Sequence, residues 1–124
     1  MLEKDLYRQI VESAVMYAIF TMDVDGIITT WNAGATVMMG FTAADMIGKD
    51  SAIIFVPEDR ARHIHEQEIE QALATGSAPD KRWHLKKDGT RFFADGFLMP
   101  LQDSVGRTRG FLKILTDKTG ERLP

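Results

Sequence analysis

The side chains able to do chemistry in this chain are few in kind. There are three histidines, His63, His65 and His84, and 18 carboxylates, with no cysteine. The missing thiol excludes disulfides, thiolate metal sites and cysteine nucleophiles, and suits a cytoplasmic setting. At 100° per residue, Ala61, His65, Ile69, Ala72 and Leu73 share one helix face, while His63 lies with Glu66, Gln67 and Glu70 on the other. His63 and His65 therefore cannot share one ion. Of the two, His65 is the one aimed inward, where a neutral imidazole can serve as a ligand. The alternative is a partly buried histidine bonded to Glu68 or to a backbone carbonyl. Asp23, Asp25 and Asp88 read as turn residues. Glu66, Glu68 and Glu70 read as a solvated helix face, with an exception left open for Glu68. A paired-carboxylate hydrolytic set, a supported Ser–His–Asp set and a phosphate-cradling glycine loop are all missing, so no enzymatic activity is expected.

The elements that must position these residues follow from periodicity and turn chemistry. Leu2–Ser13 predicts an amphipathic helix, with Leu2, Leu6, Ile10 and Ala14 spaced by four. Ala18–Asp23 and Gly26–Trp31 predict two strands around Val24-Asp25-Gly26, a hairpin signal. Ala33–Met39 suits a short helix stopped by Gly40, and Thr42 suits a helix N-cap. Pro57 opens the longest predicted helix, Glu58 to about Thr75, ended by Gly76. Strands follow at Lys81–Lys87, Arg91–Met99 and Gly110–Thr116. This order argues an α+β domain, an antiparallel sheet with helices on one face. Both faces of the last two strands carry large apolar residues. The second face therefore needs a cover, either the N-terminal helix or a second subunit, and a homodimer is expected. A chain of 124 residues fits one domain. Its net charge of −3, with both signs scattered, suggests no nucleic-acid partner. No apolar stretch is long enough to insert in a membrane.

Trp31-Asn32 after the second strand, Phe55-Val56-Pro57-Glu58-Asp59 at a helix start, Lys87-Asp88-Gly89-Thr90 between two strands and Asp117-Lys118-Thr119 at the end together resemble the PAS domain. The resemblance implies a PAS-like five-stranded antiparallel sheet, with a core over residues 17–119. Residues 1–16 would be a dimerisation helix and residues 120–124 the start of a linker to an output domain. It implies a sensory or interaction module of a signalling protein such as a histidine kinase, which relays ligand or partner binding through Asp117 and Thr119. A ligand-free dimerisation module is the alternative. A small-molecule ligand would lie between the sheet and the long helix, against His65, Ile69, Trp31, Ile54 and Phe93 or Phe92. His65 followed by Ile69 matches the spacing of the haem ligand in haem-binding PAS sensors. Glu68 replaces their usual Tyr, and Asp80 stands about where oxygen sensors place Arg. A non-covalent flavin, contacted by Trp31 and Asn32, is the other cofactor implied. A cysteinyl-flavin adduct is excluded, because Ser51 stands in the reactive cysteine's place.

Overall fold

The computed structural model describes residues 3–121; Met1, Leu2 (the first residue of the predicted N-terminal helix) and residues 122–124 lie outside them. Helix α1 spans Glu3–Ser13, and strands β1 (Ala18–Met22) and β2 (Ile28–Trp31) form the first hairpin. Helices α2 (Ala33–Met39) and α3 (Ala43–Met46) and a 3-10 turn at Ser51–Ile54 follow. Then come α4 (Pro57–Ala61), α5 (Ile64–Thr75), and strands β3 (Ala78–Leu85), β4 (Arg91–Gln102) and β5 (Thr108–Asp117). The five strands form one antiparallel sheet in the order β2-β1-β5-β4-β3, so β5 runs through its centre.

Asn32 explains why a helix starts where β2 ends. Its Oδ1 accepts from the Ala35 amide at 2.8 Å, a helix cap, and from the Ile19 amide at 2.9 Å. Its Nδ2 donates to the carbonyls of Val11 at 3.0 Å and Tyr17 at 3.2 Å, which pins the end of α1 to the core. Gly34 completes this joint, because a Cβ there would overlap the carbonyl oxygen of Tyr17. Away from this joint, Leu6 and Ile10 of α1 are about half exposed.

The long helix predicted over residues 58–75 is two helices. His63 has φ 58 and ψ 37, the left-handed region, and divides α4 from α5. That one residue turns the chain and resets the helical phase. The buried stripe of α5 is His65, Glu68 and Ala72, spaced by three and four. Ile69 is half-buried, and Ala61 and Leu73, placed inward by uninterrupted periodicity, are exposed.

On β4, Phe92, Ala94 and Leu98 face the helices and are fully buried. Phe93 lies on the opposite face, its ring edge-on to Trp83 at 5.4 Å. With Phe97, Met99, Leu112 and Ile114 it forms a half-buried apolar outer face.

Candidate functional site

The inner face of the sheet does not present an apolar slot to α5. On β3 the inward residues are Asp80, Arg82 and His84, and on β5 Lys113 points inward between Phe111 and Leu115. Lys113 and Asp80 are fully buried, and Glu68 of α5 meets them from above at 4 % exposure. Lys113 Nζ donates to Glu68 Oε1 at 2.6 Å and to Asp80 Oδ2 at 2.5 Å. In the ladder Gly96 separates Asp80 from Leu115, so no β4 side chain stands between Asp80 and β5.

Around that core the partners are graded. Arg82 Nε donates to Asp80 Oδ1 at 2.9 Å and lies 2.9 Å from Glu68 Oε2. Its N–H is aimed at Asp80, so Glu68 Oε2 has charge proximity and no hydrogen bond. His84 Nδ1 donates to the Ile54 carbonyl at 3.0 Å, while Nε2 lies 2.9 Å from both Asp80 oxygens. Both of its partners are acceptor oxygens. The Phe55 ring closes the network, 5.0 Å from Lys113 Nζ.

The electrostatics follow from burial opposed by pairing. For Asp80, burial acts to raise the pKa, but Lys113 and His84 outweigh it and hold the group well below the carboxylate range. For Lys113, burial acts to lower the pKa, and Asp80 and Glu68 overcome it, so the ammonium is held charged. Glu68 goes the other way. Burial pushes it up against the pull of Lys113.

His65 belongs to a neighbouring cluster. The Ser51 hydroxyl donates to the Gly26 carbonyl at 2.7 Å, so it accepts from His65 Nε2, also at 2.7 Å. His65 Nδ1 is buried with no partner. Burial, with Lys113 nearby, lowers the His65 pKa to about 4, and the ring is held neutral. A hydroxyl on an imidazole looks like a nucleophile–base pair, but Ser51 is 1 % exposed and no carboxylate orients Nδ1. The pair is a tether from α5 to the first hairpin. Among the described residues, no three His, Cys, Asp or Glu side chains are placed to hold a metal ion.

The residues singled out in the sequence divide accordingly. His65, Ile54 and Ile69 are brought to the α5–sheet interface, Ile54 through the carbonyl that His84 uses. Trp31 is committed to Phe20 and Phe41, and its Nε1 donates to the Phe41 carbonyl at 2.9 Å. Phe93 is on the wrong face; Phe92 is the inward residue. These residues do not fit a haem. His65 Nε2 is held by Ser51, its ring lies on Phe55 at 4.7 Å, and a macrocycle would have to part Glu68 from Lys113. Nor do they fit a flavin at Trp31-Asn32, because the Asn32 amide is saturated by backbone groups.

Sequence reasoning missed Lys113, Asp80, Arg82 and His84. The signal was there. Asp80, Arg82 and His84 alternate with Lys81, Trp83 and Leu85, and Lys113 keeps phase with Phe111 and Leu115.

β5 leads straight to the end of the domain. Thr119 Oγ1 accepts from the Phe93 amide at 2.8 Å and donates to Asp117 Oδ1 at 2.6 Å. The Lys118 amide donates to the Phe93 carbonyl at 2.8 Å. A surface cleft of about 420 Å³ lies beside this exit, bounded by Val15, Met16 and Tyr17 on one side and Asp117, Lys118 and Glu121 on the other.

A central five-stranded antiparallel sheet, helices over one face and a side-chain-anchored exit define a small sensory fold, and the chain belongs to the PAS family, whose PAS-fold model matches residues 5–118. It is similar to the two-component system protein A of Emericella nidulans, 36% identical over 115 residues. That match covers 93% of this chain and 17% of the relative, so the chain spans about a sixth of the relative's length. The crystal structure of a PAS domain from Colwellia psychrerythraea superposes with a TM-score of 0.86 at 25% identity, over 95% of this chain and 99% of that one. A domain of a sensory box sensor histidine kinase/response regulator from Geobacter sulfurreducens shares the fold, with a TM-score of 0.77 at 17% identity, over 93% and 94% of the two chains. No helix among the described residues is long and apolar enough to cross a membrane.

Proposed function

We propose that this domain is the sensory and coupling module of a larger two-component signalling protein, acting as a homodimer on a covalently linked output domain. The observation that carries the reading is the buried bridge from Glu68 of α5 through Lys113 to β5, the strand that ends at the Asp117–Thr119 anchor. A change in how α5 sits on the sheet moves Lys113, and β5 transmits it to the exit. His65, Ile69 and Ile54 line the interface where a small molecule or a partner would act. The cleft beside the exit brings the joint of α1 next to the outgoing chain, so the two connections are coupled through one surface.

α1 supports the dimer. Leu6, Tyr7, Ile10 and Val11 are exposed on it, and the outer face of the sheet is apolar. Deleting residues 1–13 is expected to turn a dimer into a monomer in sedimentation velocity. A dimer that survives the deletion removes α1 from the reading. A second reading, a dimerisation module without ligand, is favoured by one observation. The interior between α5 and the sheet is filled by Phe55, His65, Glu68, His84 and Lys113.

A further inference from the structure

We infer that Lys113 and Arg82 form a carboxylate-binding site on the sheet, that Glu68 fills it as a tethered ligand, and that small carboxylate anions are the ligand class this interior accepts. Glu68 is the only member of the network that α5 contributes. Asp80, Arg82, His84 and Lys113 belong to the sheet, and their mutual contacts stand without it. Glu68 lies across two cations as a bound carboxylate would, Oε1 on Lys113 and Oε2 beside Arg82. The fit is imperfect, because the tether leaves Oε2 buried without a hydrogen bond. An untethered anion escapes that constraint, and Phe55 supplies an apolar wall beside the ammonium for its methyl group. Removing Glu68 leaves two cations, Lys113 and Arg82, with Asp80 as their one carboxylate partner in the network. In the intact chain the tethered Glu68 outcompetes a free anion such as acetate. An anion that does displace it removes the ionic link between α5 and the sheet, while the His65–Ser51 tether stays. The inference thus names the ligand chemistry for the relay proposed above and rests on it; binding is read directly below, so the two can fail separately.

The test is chemical rescue. Glu68→Ala removes one methylene and a carboxylate, which acetate replaces in size and charge. Unfolding of Glu68→Ala is compared in sodium acetate and sodium chloride at equal ionic strength and pH 7. The folded-to-unfolded ratio is expected to rise in acetate as 1 + [L]/Kd, about 11-fold at ten times Kd. Wild type and the volume-preserving Glu68→Gln are expected to show no difference between the salts, nor is Glu68→Ala/Lys113→Met. Should Glu68→Ala be unfolded in chloride, acetate is expected to restore the native circular dichroism. A Glu68→Ala protein that responds no more to acetate than wild type does, or that stays unfolded in both salts, overturns the inference.

Discussion

Replacing Lys113 with methionine is expected to lower the unfolding free energy by about 3–5 kcal/mol, the cost of leaving buried carboxylates without their cation. Asp80 and Glu68 both contact Nζ, and Asp80 is fully buried, so neither can turn to water. Arg82 and His84 remain to Asp80, whereas Glu68 keeps only a charge contact with Arg82 that lacks a hydrogen bond. The loss comes from unpaired charge and not from lost packing, because methionine matches the aliphatic stem. Adding Glu68→Gln and Asp80→Asn to Lys113→Met is therefore expected to recover part of it. Urea denaturation reads the effect as a lower midpoint at constant slope. A single-variant loss below about 1 kcal/mol would mean that the network is not a closed ionic unit.

His65 carries the second large effect, through pH. Its pKa falls from 6.5 to about 4 on folding, chiefly by burial. Between those values the unfolded chain binds a proton that the folded protein refuses, so stability falls as pH is lowered from about 6.5 towards 4. The shift corresponds to about 2–3 kcal/mol over that window. Glu68 works in the opposite sense. Its raised pKa makes the folded state take up a proton first, adding stability as pH falls. The Asp80 contribution is lost only at more acid pH, because its pKa is depressed. Comparing wild type with His65→Gln cancels both carboxylates. The variant's stability is expected to be flatter between pH 6.5 and 4.5, and parallel curves would show that His65 is not held neutral.

Much of the frame was legible. Asp25-Gly26 and Asp88-Gly89 mark tight turns, Asn32 marks a helix start, and Pro57 and Gly76 bound the helical region, because each residue acts through local backbone chemistry. The break at His63 left no trace in periodicity, since nothing about a histidine demands a left-handed conformation. What that turn displaced was Ala61, which uninterrupted periodicity puts on the inward face and which is exposed. Glu68 lies three residues after His65 and four before Ala72, on one side of the helix, and its charge alone argued for the solvated face. Lys113 and Glu68 are 45 residues apart, so only the folded chain shows that one neutralises the other. Phe92 and Phe93 could not be told apart by pattern, because both faces of β4 are apolar. The charged residues of β3 were the better guide. A polar stripe at Asp80, Arg82 and His84 opposite Trp83 and Leu85 means that one face of that strand is held by charge.

A network that couples α5 to the exit does more than pack the interior. Native-state hydrogen exchange on Glu68→Gln tests that coupling most directly, because this variant keeps the volume and weakens only the links to Lys113 and Arg82. The reporters are the Gly76 amide at the end of α5, bonded to Ala72, and the Lys118 amide, bonded to Phe93. The Asn32 amide, bonded to Ile19, serves as the reference. Gly76 and Lys118 are expected to lose protection together while Asn32 keeps its own. Faster exchange at Gly76 with Lys118 unchanged would contradict the relay and leave the network a local feature of the core.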